Sequence, residues 1–150
     1  MNRMPEVEPR MDRMVVVVVG AHLRAELNDR ATAETLRALA AAHPVTQRED
    51  MQIALCTDIW YVNNDALRAR PTISVGHPDV NALAAFLADR LPAAFTIDDV
   101  MTVQMDLEFV DPVASCWGMT HGDTAAAAEM FATRYLGDFL ERAARSLPET

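Results

Sequence analysis

The sequence predicts a single three-layer α/β domain: a mainly parallel sheet with an antiparallel C-terminal hairpin and helices on both faces. Three stretches carry that expectation. Met14 to Val19 contains five consecutive valines. With no polar alternation, both faces of such a strand are buried, as at the centre of a parallel sheet. Thr72 to Leu91 reads as a buried strand that turns straight into a helix. Met101 to Phe109 alternates apolar and polar residues, and Asp111-Pro112 then turns the chain into a return strand, Val113 to Trp117.

Taken in order, residues 1–13 are polar with two prolines and read as a disordered arm ahead of a domain spanning 14–147. Gly20 ends the valine strand. In a parallel sheet His22, Arg24 and Glu26 then emerge at its carboxyl end. Asn28 and Asp29 are helix-start residues. Spacing predicts a helix from Arg30 to Ala42, with Ala33, Leu36, Leu39 and Ala40 buried. Val45 to Asp50 reads as a polar connection and Gln52 to Cys56 as a second strand. Thr57 to Asn64 fits either a continued strand or a loop. Asn63-Asn64-Asp65 caps a short segment, Ala66 to Arg70.

The central unit follows. Ile73 and Val75 mark a strand bounded by Pro71 and Gly76. Val80, Leu83, Ala84, Leu87 and Leu91 form one apolar stripe. Pro78 suits a first helical turn, so a helix opened by Pro78 and stopped by Pro92 is expected. Ala93 to Asp99 reads as the lead into the alternating strand. Thr120 and Asp123 resemble a capping box that opens one long helix, Asp123 to Ser146.

Composition excludes several function classes. The 150 residues are 51% hydrophobic, enough for one cored domain. The formal net charge is −9, a field that repels nucleic-acid backbones. All thirteen basic residues are arginines, which excludes Schiff-base, P-loop and kinase-type lysines. Cys56 and Cys116 form no C-x-x-C, and buried free thiols are expected. No run reaches transmembrane length and no signal peptide is expected, so a cytoplasmic protein without membrane contact follows.

Three segments resemble a group of small uncharacterised bacterial α/β proteins: VVVVVGAHLRAELNDR, CTDIWYVNNDALRARPTISVG-x-PDVN and VASCWGMTHGDTAAA. Separately, VGHPDVN with GMTHGDTAAAA is similar to the G-x-P-x-V-N and D-T-x-x-A segments of surface-layer-type α/β domains, over about a fifth of the chain. Those domains often carry glycine before the proline, where this chain has His77. The resemblance implies an α/β, Rossmann-like fold and brings no catalytic residue with it.

Four groups of residues invite chemistry. His22, Asp58 and His77 could meet at three strand ends as a metal or acid–base group, but no H-E-x-x-H spacing links them, and capping explains them equally. Cys116, His121 and Asp123 suggest a cysteine nucleophile, against which stand a buried thiol and a helix cap. Asp106 and Glu108, with Asp98 and Asp99, could pair for glycoside chemistry, although with Thr102 and Gln104 they also make a solvated strand face. Trp60 and Tyr61 beside Asn63 and Asn64 could wall a base or sugar site; if this part is extended, at most one of the two aromatics lines it and the other is core.

The expected function is binding of a small anionic or nucleotide-like ligand at the carboxyl ends of the strands, with no catalytic residue, metal or cofactor assigned. Gly20, His22, Arg24, Asp58, Asn64, Gly76, His77, Asp79 and Asn81 would line the site. Arg24 would pair the anion and the Gly76–Asp79 turn would cradle it. The alternative is a non-catalytic assembly protein, a homodimer through the last helix or the hairpin edge.

Overall fold

A computed structural model describes residues 11–108 and 111–147. It contains β1 (Met14–Val19), α1 (Leu23–Leu27), α2 (Asp29–Ala42), α3 (Pro44–Arg48), β2 (Gln52–Thr57), α4 (Asp58–Val62), α5 (Asp65–Arg68) and β3 (Thr72–Val75). The chain continues through α6 (Ala82–Leu87), β4 (Ala93–Ile97), β5 (Met101–Met105), β6 (Val113–Gly118), α7 (His121–Arg134) and α8 (Leu136–Arg145). The six strands form one sheet in the order β2-β1-β3-β6-β5-β4. β2, β1, β3 and β6 are parallel, while β5 is antiparallel to both β6 and β4. The chain is thus a single α/β domain, mostly parallel with antiparallel C-terminal strands.

The valine run explains the layers. Val15, Val17 and Val19 pack into one core with Leu36 of α2, Phe131 of α7 and Phe139 of α8. Val16 and Val18 face the opposite way, into a second core with Tyr61, Leu67, Leu83 and Leu87. Successive strand residues point to opposite faces, so one apolar run feeds both cores. Helices leave β1 and β3 toward opposite faces, which puts the sheet's switch point between these two neighbours.

Several elements differ from the sequence expectation. Met11–Arg13 form a short 3-10 turn, and buried Arg13 donates to the Glu49 and Asp50 carbonyls. The rest of the expected arm, 1–10, lies outside the described residues. Pro44 starts a helix where a connection was expected, because the His43 side chain accepts from Val45 N. Thr57 caps α4 in the stretch left between strand and loop. Leu39 is half exposed rather than buried. Ala93–Ile97 is an edge strand, joined to β5 by a turn in which Asp99 adopts φ 60°. The alternating strand stops at Met105, where Asp106 Oδ1 accepts from Glu108 N in a local turn. Phe109 lies outside the described residues. Gln104 is buried, not solvated: its amide donates to the Ala88 and Leu91 carbonyls at the end of α6. The expected long last helix breaks at Tyr135, whose hydroxyl reaches the Ala94 carbonyl.

Cys56 lies on β2 and Cys116 on β6, three strands apart, so about 14 Å of sheet separates them and no bridge can form. Among the described residues no helix is long and apolar enough to cross a membrane.

Burial, aided by the charge of Asp58, pushes the Cys56 thiol from 9.0 up to about 11, and burial alone raises Cys116. A raised thiol pKa stabilises the fold fully below the unfolded value and loses that contribution as pH climbs to the folded value. The urea midpoint should therefore fall between pH 9 and about 11, and fall less steeply in Cys56→Ser. A midpoint that stays level across that window contradicts this burial.

Candidate functional site

The carboxyl ends of β1, β2 and β3 are bound together by two buried polar side chains. Asp58, the first residue of α4, is 5% exposed. Its Oδ1 accepts from Ala21 N at 2.9 Å and from Ile59 N at 2.8 Å, and its Oδ2 accepts from Ala82 N at 2.8 Å. One carboxylate at the end of β2 thus ties the loop after β1 to the start of α6 beyond β3. Asn81, 1% exposed, is the N-cap of α6. Its Oδ1 accepts from Leu83 N and Ala84 N, while its Nδ2 donates to the Val75 carbonyl and to Ser74 Oγ. The helix expected to open at Pro78 therefore begins four residues later, because Asn81 supplies the cap and Pro78–Val80 form the turn before it.

Gly20 belongs to the same lock. A Cβ there would lie 1.8 Å from the Val80 carbonyl oxygen, so only glycine admits that loop. Asn64 caps α5, accepting from Ala66 N and Leu67 N, and lines neither strand-end cleft. Of the nine residues read as ligand-lining, Gly20, Asp58, Asn64 and Asn81 have structural partners that occupy their polar groups or their space. Their types mislead because helix caps and ligand contacts use the same aspartates and asparagines.

Two clefts open at this edge. The first, about 470 Å³, runs over the lock, with Ala21, His22 and Asp58 on one side and Pro78 to Ala82 on the other. The second, about 410 Å³, lies between Arg24, His77 and Asp79 and the start of α7 at Thr120 and His121. The structure brings Arg24, His77 and Asp79 into this second cleft and leaves His22 in the first.

His121, which lines the second cleft, has a buried partner that the sequence reading missed. His121 Nδ1 lies 2.9 Å from Asp29 Oδ1, across 92 residues of chain. Asp29 is 1% exposed, and its Oδ2 is buried without a hydrogen-bond partner among the described residues. Gly76 makes room for it. That residue has φ 122°, and a Cβ there would approach Oδ2 to 3.1 Å. The sharp turn after β3 thus accommodates a buried carboxylate, where the sequence reading expected a phosphate cradle. Asp29 at a helix start and His121 after a capping threonine both read as end-of-helix residues. Only the packing of α2 on α7 joins them.

His77 is placed from two sides. Its Nδ1 accepts from Asp79 N at 2.9 Å, and its ring meets Trp117 edge-on at 5.0 Å. Trp117 is itself held by its Nε1 donating to Gln104 Oε1. The threonine hydroxyls nearby already hold backbone donors: Thr120 accepts from Asp123 N and Thr124 from Gly118 N.

The other sequence candidates come apart. Among the described residues no cluster of three or more His, Cys, Asp or Glu could hold a metal. Cys116 is fully buried on β6. Trp60 is exposed and Tyr61 is core, its hydroxyl 3.0 Å from Thr72 Oγ1, so the two part as the sequence reading expected, although on a helix rather than a strand. No family model, curated protein or solved structure matches this chain.

Asn81→Ala removes a cap and strands buried carbonyl groups. It should cost about 2–4 kcal/mol in urea denaturation. A loss below about 1 kcal/mol would show that the lock is not what joins the strand ends.

Proposed function

We propose that this chain binds a small anionic, nucleotide-like molecule in the second cleft. One observation carries the reading. An exposed arginine, two histidines and the start of a fourteen-residue helix converge on one recess beside the switch point of the sheet. Open α/β sheets bind ligands at such a point. Arg24 supplies a planar cationic fork. The first-turn N–H groups of α7 at His121 and Gly122 have no intrahelical acceptor and favour negative charge. Asp79 rims the cleft with its carboxylate exposed. It suits a ligand that carries hydroxyl groups as well as an anionic group.

A thermal-shift screen with nucleotides, sugar phosphates, simple anions and divalent metals tests this. At a hundred times its dissociation constant a ligand stabilises by about 2.7 kcal/mol, or roughly 5–10 °C here. The shift should vanish in Arg24→Ala and His77→Ala. Absence of any shift, or a shift that both variants retain, overturns the reading.

A second reading, homodimerisation, is favoured by a different observation. Ile59, Trp60 and Val62 of α4 and Phe86 of α6 are exposed, and Val62 and Phe86 line a groove of about 650 Å³. The last helix buries Leu136, Phe139, Leu140 and Ala143, and β5 is covered by β4. A dimer would therefore use the α4–α6 face rather than the last helix or the hairpin. Sedimentation should then show a dimer that Trp60→Glu dissociates, and a monomer at all concentrations would remove this reading.

A further inference from the structure

We propose that His121 is a general base, positioned by Asp29, for the hydrolysis of small anionic carboxylic esters, with His77 stabilising the oxyanion. The inference rests on the ligand site proposed above and adds a reaction to it.

Hydrogen-bond partners assign the two imidazoles opposite roles. An ionised carboxylate only accepts, so the contact with Asp29 Oδ1 places the proton of His121 on Nδ1. Nε2 is then the lone-pair nitrogen of a ring that lines the cleft, its side chain 38% exposed. His77 is the reverse. Its Nδ1 accepts the Asp79 amide, so its proton sits on Nε2. In that tautomer its Nε2–H is a hydrogen-bond donor. One cleft thus holds a base and a neutral donor, with Arg24 to hold an anionic group remote from the ester.

Asp29 has a feature that a simple helix tie does not need. A tie between α2 and α7 requires one acceptor, yet the second oxygen is buried and unpaired among the described residues. A full negative charge held beside the ring favours the imidazolium that forms when His121 takes a proton. The nucleophile is water, to which the cleft is open. That openness also favours hydrolysis over enolisation, since an exposed carbanion is reprotonated by solvent.

The step balances with water alone. His121 Nε2 takes a proton from water as the water oxygen bonds to the ester carbon. The carbonyl π electrons move to the oxygen, which accepts from His77 Nε2–H. The tetrahedral intermediate then collapses, the bond to the alcohol oxygen breaks, and His121 returns its proton to the departing alkoxide. The products are an acid and an alcohol.

The test uses the full chain with 4-nitrophenyl hydrogen succinate, with neutral 4-nitrophenyl acetate as comparator and succinate binding measured separately by calorimetry. Turnover of the anionic ester should exceed background. His121→Gln should lower kcat/KM on the order of 10²-fold or more. His77→Ala should lower kcat by roughly 10²-fold. Arg24→Ala should raise KM for the anionic ester alone. Asp29→Asn should slow turnover and shift the His121 ring nitrogen resonances toward the other tautomer, a change that a purely structural role would not produce. Should the buried Asp29→Asn fail to fold, His121→Gln at a partly exposed ring still decides the matter. Succinate binding without ester turnover, or full turnover by folded His121→Gln, overturns the catalytic inference and leaves the binding site standing. Absence of both binding and turnover overturns both.

Discussion

Everything at the carboxyl ends of β1, β2 and β3 depends on one carboxylate. Asp58 accepts backbone N–H groups from Ala21 after β1, from its neighbour Ile59 in α4 after β2, and from Ala82 at the start of α6 beyond β3. Loops at sheet ends normally satisfy such donors with water, which leaves them free to move. Here a buried charge-assisted acceptor gathers them, and Asn81 repeats the device one turn along. With Gly20 admitting the Val80 carbonyl, the three loops become a rigid shelf. Arg24, His77 and the start of α7 are displayed beside it.

The edge is divided in consequence. Over β1 and β2 the polar groups are spent on structure, so the first cleft has a floor whose hydrogen-bonding capacity is largely used. Over β3 and β6 the polar groups face a recess. Gly76 and Asp29 are the hinge between the halves: the left-handed backbone at Gly76 gives space to a carboxylate that serves His121 rather than a ligand. A buried charge costs stability unless it is paired, and among the described residues Asp29 is paired through one of its two oxygens.

Legibility in the sequence followed the range of the interaction that decides each element. Val15–Val19 announced a central strand because burial on both faces is written in the residues themselves. The parallel sheet, the antiparallel return and α2 were readable for the same local reason. β4 was not, because Ala93–Ile97 has no clean alternation and pairs at the edge with a strand that follows it. The start of α6 was misplaced because Pro78 is a permissible first-turn residue, whereas the stronger signal, Asn81 as a buried cap, depends on Val75 and Ser74 reaching it. At the site, Arg24 and His77 were named from their place after strands. His121 was named only beside Cys116 and Asp123, and Asp29 only as a helix-start residue, since nothing local indicates that two helix starts will meet.

Native-state hydrogen exchange tests the central claim most directly, through the amides of Ala21, Ile59 and Ala82. If Asp58 locks the strand ends, these three amides exchange only through global unfolding, as slowly as the core of β1. The neighbouring His121 and Gly122 amides, at the open first turn of α7, exchange fast. If Ala21, Ile59 and Ala82 exchange at the rate of free loops, the strand ends are not locked and the division of the edge is wrong.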